Sequence, residues 1–87
     1  MKQLFDLGHV VWTPGIDDQI EEAFLFLKRH MAGDWGELDQ HDIEENNLSV
    51  KQGYRILSSY HLKDGMKFWI ITEADRSSTT FLLPSEY

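Results

Sequence analysis

A run of charged and hydroxyl side chains near the end of the chain is the strongest candidate for chemistry. Glu73, Asp75 and Arg76 precede four consecutive hydroxyl residues at 77–80. Arginine and hydroxyl groups donate hydrogen bonds to phosphate oxygens, and a nearby carboxylate can accept a proton as a general base. Aspartate and serine side chains also stabilise turns by bonding to their own backbone, and the sequence favours that interpretation. The run is therefore either an anion site or a polar hairpin turn.

An enzyme would need an acid and a second cation to accompany this run. Arg55 and Arg76 could hold a phosphate ester, with Glu73 as the base and His61 or His30 as the acid. Arg55 and His61 also fit a simpler role at the fringe of a sheet, which the sequence favours. There is no glycine-rich phosphate loop, nucleophile elbow or dinucleotide fingerprint, so those enzyme classes are set aside.

Pairs of histidine and carboxylate residues raise the question of a metal. His30 and Asp34 are four residues apart, and His41 precedes Asp42 and Glu45. Neither group has the paired histidines of a zinc-protease motif, and the chain has no cysteine for a thiolate site. We interpret His30 as bonding the last carbonyls of a helix and Asp34 as a capping residue. No metal and no cofactor are expected.

Acidic side chains are concentrated in one part of the chain. The net charge is −7, and residues 17–45 hold ten acids against two Lys or Arg, whereas the remainder holds five acids and six bases. Such a field repels phosphates and attracts basic surfaces, so nucleic-acid binding is disfavoured and a basic protein partner is expected. A solvated acidic helix face would have the same composition.

A loop tryptophan accompanies this acidic region. Trp35 could anchor a partner from an exposed loop or, as the sequence favours, fill the edge of the core. The candidate binding residues are Trp35, Asp34, Asp39, Asp42, Glu45, Asp75 and Arg76.

The first part of the chain passes from a strand to a helix. Residues 10–13 are β-prone, and Thr13-Pro14 is typical of a helix start. Apolar residues at three- and four-residue spacing then predict a helix over 14–31, which Gly33 ends.

A second helix is predicted over 39–52. Its apolar stripe is thin, but Gly53 is a good C-cap just before the sequence becomes strand-like. Asp34 and Glu37 have the spacing of a capping box for this helix. Two helices therefore precede the β-rich part of the chain.

The clearest local signal is a β-hairpin. Residues 54–62 and 66–72 are rich in β-formers, and Asp64-Gly65 between them is a strong two-residue turn signal. This turn would place Tyr60 opposite Trp69.

The strand after that turn is apolar at every position from 68 to 71, which is typical of a central strand covered on both faces. A last strand is predicted over 79–83, and Pro84 ends it. We therefore predict an α+β fold in which two N-terminal helices pack on a three- to four-stranded antiparallel sheet.

The length and composition limit the number of domains and indicate the cellular compartment. Eighty-seven residues suit a single domain over 1–87, with an acidic helical half at 1–53 and a β-meander at 54–84. No signal-like or membrane-spanning run is present, and a chain without cysteine fits a reducing compartment, so a cytoplasmic protein is expected.

Four segments resemble a family of short bacterial proteins that are described as plasmid-related and occur on mobile elements. They read GHVVWTPG at 8–15, RHMAGDWG at 29–36, RILSSY at 55–60 and, above all, FWIITEADRSSTTFLLPSEY at 68–87. The chain departs from the family at Trp12, where a small residue is expected, and in a first helix that continues through residues 24–26. The resemblance implies a mobile-element context and no particular reaction.

A weaker similarity, over about 30 residues, is to the core of barnase-type microbial ribonucleases, where helices precede an antiparallel sheet. It is carried by Arg55-Ile56-Leu57 and by the later Trp-Ile-Ile strand. It implies a ribonuclease-like site on the sheet, built from the Glu, His and Arg residues named above.

Three functional hypotheses follow. The leading one is a small acidic accessory protein of plasmid or phage origin that binds a macromolecular partner, as an anti-defence or regulatory inhibitor of a nucleic-acid-handling protein. The second is the ribonuclease-like enzyme, although a negative field disfavours an RNA substrate. The third is a homodimeric structural protein, because a sheet apolar on both faces exceeds what two helices can cover.

Overall fold

A computed structural model describes residues 3–87 and has the predicted α+β architecture. The sheet order is β1-β4-β3-β2, so β1 and β2 are the edge strands. The strands β2, β3 and β4 are antiparallel as predicted, whereas β1 precedes the helices and runs parallel to β4, so the prediction of an entirely antiparallel sheet is corrected. The elements are β1 (His9–Trp12), a 3-10 helix (Pro14–Gln19), α1 (Ile20–Phe24), α2 (Leu27–Met31), α3 (Gln40–Gln52), β2 (Ile56–His61), β3 (Lys67–Thr72), β4 (Ser78–Leu82) and a final 3-10 helix (Pro84–Glu86).

The single helix predicted over 14–31 is broken into three short pieces. It starts at Pro14 as predicted, but as a 3-10 helix, and α1 and α2 are separated by a turn. The break allows two aromatic side chains that a regular helix would point in opposite directions to reach the same sheet. Phe24 packs against Phe81, and Phe26 packs against Tyr60. Packing therefore overrides the regular spacing that predicted one helix.

The prediction of α3 is confirmed. Gly53 takes the left-handed conformation at its C-terminus, with φ of 78°. The capping box proposed for Asp34 and Glu37 is wrong, because Asp39 is the N-cap and accepts a hydrogen bond from the backbone N–H of Asp42 at 2.9 Å.

The hairpin between β2 and β3 is confirmed, but the predicted register is wrong by one residue. Tyr60 lies opposite Phe68, not Trp69. The loop has three residues between Leu62 and Met66, whose backbone groups are bonded at 2.9 Å, and Gly65 takes the left-handed conformation with φ of 89°. A three-residue loop of this kind shifts the pairing relative to a two-residue turn.

This register places the main apolar core on one face of the sheet, under the helices. Tyr60, Phe68, Ile70 and Phe81 form the main core with residues of the first 3-10 helix and α1. The central position predicted for the strand over 68–71 is confirmed. On its other face, Trp69 is half-buried beneath the ring of Tyr87.

The β2 edge of the sheet is covered. The backbone N–H of Ser59 donates to the carbonyl of Trp35 at 3.0 Å, and the N–H of Glu37 donates to the carbonyl of Ser59 at 2.7 Å. The side-chain amide of Asn46 accepts from the N–H of Leu57 at 3.2 Å and donates to its carbonyl at 2.6 Å. The outward backbone groups of both strand residues therefore have partners, and α3 lies beside this edge.

Within residues 3–87, no helix is both long enough and apolar enough to cross a membrane.

Candidate functional site

Arg76 is a structural link and not a free anion ligand. Its guanidinium donates to four backbone carbonyls, those of Ser49, Tyr54, Glu73 and Ala74, at 2.7–3.3 Å. These bonds connect the end of α3 to the turn between β3 and β4. Arg76 also has a positive φ of 61°, a conformation that costs a non-glycine residue about 1–2 kcal/mol. The bonds to the carbonyls offset that cost and engage both Nη groups.

Asp75 supports the same turn. Its carboxylate accepts a hydrogen bond from the backbone N–H of Ser77 at 3.0 Å. Hydrogen bonds from the side chain and backbone of Ser77 lower the pKa of Asp75 below its ordinary value. Of the two interpretations of this run, the polar hairpin turn is the one that these contacts support.

Glu73 is held by Arg55 across the β2–β3 pair. The distance from Arg55 Nη2 to Glu73 Oε1 is 3.2 Å. The same guanidinium donates to the hydroxyl of Tyr87 at 2.6 Å. The charge of Glu73 and the hydroxyl of Tyr87 raise the pKa of Arg55. Glu73 and Arg55 are therefore brought together, as a partly exposed ion pair between strands.

His61 is remote from that pair. It lies opposite Lys67 at the other end of the hairpin, six residues along β2 from Arg55, which is about 20 Å in an extended strand. Its ring contacts the carboxylate of Glu37 instead. The structure does not gather Glu73, His61 and Arg76 around one position where a substrate could sit.

His30 is buried in the core and does not lie at an exposed helix end, so its assignment to the last carbonyls of the helix is wrong. It lies in a row of side-chain hydrogen bonds that crosses the sheet. Nδ1 contacts the hydroxyl of Ser58, Nε2 lies 2.9 Å from Thr72 Oγ1, and the Thr72 hydroxyl lies 2.8 Å from that of Thr79. Thr79 in turn donates to the carbonyl of Leu7 at 2.8 Å.

The direction of this row determines which nitrogen of His30 carries the proton, and burial keeps the ring neutral. A carbonyl only accepts, so Thr79 donates to Leu7, Thr72 donates to Thr79, and His30 Nε2–H donates to Thr72. Nδ1 then accepts from Ser58. Burial lowers the pKa of His30 to about 3, because the charged ring would be removed from water. A buried neutral histidine cannot serve as the acid of a surface enzyme site.

Trp35 is a core residue and not an exposed anchor. Only 3% of its surface is accessible. Its ring stacks on Phe5 with centroids 6.2 Å apart, and its indole N–H donates to Asn47 at 3.0 Å. The interpretation that Trp35 fills the edge of the core is confirmed. The neighbouring Asp34 is engaged as well, in a two-bond ion pair with Arg29 at 2.8 and 3.2 Å.

The exposed carboxylates of α3 border a groove. Asp42 and Glu45 line it together with Asn46, and Leu38 and Leu57 form its apolar part. Among residues 3–87, the ion-pair partner of Glu45 is a histidine, His41, at 3.7 Å. The arrangement suits a lysine or arginine side chain, whose stem can pack on leucine while its charged group meets a carboxylate.

The carboxylates of residues 17–45 form two groups rather than one acidic side. One group lies on the first 3-10 helix and α1, which follow β1 and contact β4 and the main core. The other lies on α3 and the segment before it, beside β2. The acids of residues 17–45 are therefore divided between two sets of elements, which contact different strands of the sheet.

The residues 3–87 contain no cluster of three or more His, Asp and Glu side chains placed to hold a metal ion.

No protein-family model, curated protein or solved structure matches the chain. The likeness to plasmid-related proteins and to barnase-type ribonucleases therefore stays a prediction from the sequence.

The sequence pointed to the acids of α3 but not to the two leucines that line the groove with them. Leu38 and Leu57 are separated by a whole helix in the sequence. Only the seating of α3 beside β2 brings them into one groove, and no local pattern signals that contact.

Proposed function

We propose that this chain is a small acidic binding module that docks the α3 surface onto a basic surface of a macromolecular partner. In this proposal it is a cytoplasmic accessory protein of a plasmid or phage. It occupies a basic groove of a nucleic-acid-handling protein and thereby acts as an anti-defence or regulatory inhibitor. The resemblance in sequence to plasmid-related proteins motivates that setting.

One observation carries the proposal: among residues 3–87, most carboxylates around α3 have no ion pair with a Lys or Arg side chain. Residues 34–50 contain six acids and no Lys or Arg. Among residues 3–87, the ion pairs made by Lys or Arg are Arg29–Asp34 and Arg55–Glu73, so only Asp34 of the six is neutralised in this way. Uncompensated charge on one helix repels like surfaces and steers a basic partner toward it.

The apolar part of the groove adds a reason for selectivity. Exposed charge alone gives weak, salt-sensitive attraction. A groove in which Asp42 and Glu45 flank Leu38 and Leu57 offers contacts to both the stem and the charged group of a basic side chain. The proposal therefore predicts lysine or arginine at the centre of the partner surface.

The test begins with capture of partners from lysate of a plasmid-bearing bacterial host, with wild type and the double variant Asp42→Asn/Glu45→Gln as baits. A captured protein is then purified and its complex reconstituted. We expect a stoichiometric complex that weakens about tenfold between low and physiological salt. It should weaken further in the double variant but not in Asp75→Asn, which removes a carboxylate from the β3–β4 turn.

A reconstituted complex that is insensitive to both the salt and the double variant would contradict the proposal. The ribonuclease alternative has its own assay, in which purified protein is incubated with RNA. Cleavage that disappears in Glu73→Ala and Arg76→Ala, in protein shown to remain folded, would replace the binding module with an enzyme.

A further inference from the structure

The β1 edge of the sheet is open. The backbone N–H of His9 donates to the carbonyl of Ser77, and that of Thr13 to the carbonyl of Phe81, both at 3.0 Å. Because alternate residues of a strand point their backbone groups to opposite sides, those of Val10 and Trp12 point away from β4. Among residues 3–87, no other segment bonds to the backbone of these two residues.

Two of the four β1 side chains, Val11 and Trp12, are exposed and apolar. Val11 has 45% of its surface accessible and Trp12 has 41%. The Trp12 ring packs edge-on against Phe24, with centroids 5.6 Å apart, and Phe24 is itself exposed. An unpaired backbone beside exposed apolar side chains is the surface to which an extended chain adds as a further strand.

An acidic and aromatic groove lies at the end of the open edge. It is lined by Trp12, Thr13, Pro14 and Asp17. The indole N–H of Trp12 donates to the carboxylate of Asp17 at 2.7 Å, which places a negative charge next to an aromatic ring. Lysine and arginine are attracted to both groups.

The charge around this edge selects the occupant. Residues 9–27 and 77–87 comprise β1, β4 and the segments packed on them, and they contain five acids and no Lys or Arg. A second copy of the chain would bring identical acids together, each copy with a net charge of −7. A basic segment would meet opposite charge instead.

We propose that β1 accepts an extended segment of a partner protein as a fifth strand, and that a lysine or arginine of this segment enters the groove formed by Trp12 and Asp17. The paired stretch is short, because β1 has four residues and Pro14 follows it. This assigns a second contact surface at the sheet edge opposite α3, and it holds whether or not α3 binds a partner.

The probe is a library of random twelve-residue peptides displayed on phage, selected against the full chain, with the enriched peptide then synthesised. We expect enriched peptides to alternate apolar and basic residues. In Val10→Pro, which removes the outward N–H but leaves the bonds to β4, affinity should fall about tenfold, the loss of one good hydrogen bond. Val10→Ala, which keeps that N–H, is the matched control and should lose less.

A charge-matched pair of variants tests the groove. Asp17→Asn should weaken binding of the synthesised peptide about threefold to tenfold, because a neutral amide replaces the carboxylate that faces the basic side chain. Asp64→Asn removes a carboxylate from the β2–β3 turn and should leave the affinity unchanged.

Amide hydrogen exchange supplies a readout that does not depend on a variant folding. In the free protein, the amides of Val10 and Trp12 should exchange quickly, whereas that of Val11, which points to β4, should be protected. The synthesised peptide should slow Val10 and Trp12 and leave Val11 as it was. Selection of no peptide, or a bound peptide that leaves Val10 and Trp12 unprotected, would overturn the proposal.

Two further outcomes would assign the peptide or the β1 edge differently. If the free chain is a dimer in sedimentation and Val10→Pro makes it a monomer, the occupant of the edge is a second copy and the proposal is wrong. If peptide binding is lost in Asp42→Asn/Glu45→Gln and kept in Val10→Pro, the peptide binds α3. That outcome overturns the β1 proposal while supporting the proposed function.

Discussion

At the β2 edge of the sheet, the outward backbone groups of Leu57 and Ser59 are bonded to Asn46 and to the segment from Trp35 to Glu37. At the β1 edge, the corresponding groups of Val10 and Trp12 have no partner among residues 3–87. Natural sheets cover or shorten their edges to avoid pairing with other chains. This chain covers one edge with two separate segments and leaves the other open but short.

The covered edge also shows how a side chain replaces a strand. The amide of Asn46 presents one acceptor and one donor to the backbone of Leu57, as a neighbouring peptide group would. This bond ties α3 to β2 and positions the groove proposed for a basic partner. Substitutions at the two edges test this contrast, because they should lower the free energy of unfolding by different amounts.

The covered edge should tolerate no side chain at Gly36. A Cβ there would lie 2.0 Å from the carbonyl oxygen of Ser59, and the residue has a φ of 76°. Gly36→Ala should therefore lower the free energy of unfolding by about 3 kcal/mol or more, from backbone strain plus a clash that separates the segment from β2. Urea denaturation measures the loss.

Gly53→Ala is the matched control for that substitution. Gly53 has a similar φ of 78°, but a Cβ there would meet nothing within 4 Å. It should lose only about 1–2 kcal/mol, the conformational part of the effect. Equal losses in the two variants would mean that close approach to β2 does not matter.

Removing the side chain that replaces a strand should be the next largest effect. Asn46→Ala leaves the N–H and the carbonyl of Leu57 without partners and should cost about 2–3 kcal/mol of unfolding free energy. Glu44→Ala, at an exposed position of the same helix, should change it by no more than about 0.5 kcal/mol. Thermal or urea unfolding that does not separate the two variants would show that water satisfies Leu57 equally well.

The buried row through His30 connects β2 to the segment before β1, and it should make stability depend on pH. The pKa of His30 in the folded chain, about 3, lies below the ordinary value of 6.5. As pH falls, His30 therefore takes up a proton first in the unfolded chain. The contribution of neutral His30 to the free energy of unfolding is therefore fully present above pH 6.5. It declines below that pH, by about 2 kcal/mol between pH 7 and pH 5.

The matched variant for this prediction is His30→Gln, which can donate and accept hydrogen bonds but does not titrate. Its urea unfolding free energy should lack the decline between pH 7 and pH 5. The carboxylates with lowered pKa, such as Asp34 and Glu86, contribute only at lower pH, because their ordinary values are already near 4. A decline of equal size in the variant would assign the pH dependence to other groups.

The smallest effect belongs to the open edge. Val11→Thr should change the free energy of unfolding by less than about 0.5 kcal/mol, because nearly half of the side chain is already in water. Ile71→Thr, on the same face of the sheet but 3% exposed, should cost several times more. A large loss from Val11→Thr would mean that the β1 edge is covered in solution, by another copy or by a partner.

Much of the fold was predictable because its signals are local. Proline after threonine starts the first helical segment, and glycine at 53 ends α3, since these residues have few alternatives for their backbone angles. The all-apolar stretch over 68–71 predicted a central strand because only such a strand is covered on both faces.

The candidate sites were predicted less well, for a different reason. Arg76 and Trp35 were candidate binding residues, although the sequence favoured a polar turn and the edge of the core for them; Arg76 is bonded to backbone carbonyls and Trp35 is buried. The sequence shows that arginine can bind an anion, but it does not show which acceptors the fold places nearest. Long-range contacts decide that.

Composition and spacing alone determined that this is an acidic α+β chain whose third strand is central and whose hairpin turns near Asp64-Gly65, because those properties follow from short-range backbone preferences and hydrophobic patterning. Only the tertiary structure decided which edge of the sheet is covered, that His30 is a buried link between β2 and β3, and that two leucines meet beside the acids of α3. Each of these joins residues far apart in the chain, and their contacts depend on how whole elements pack.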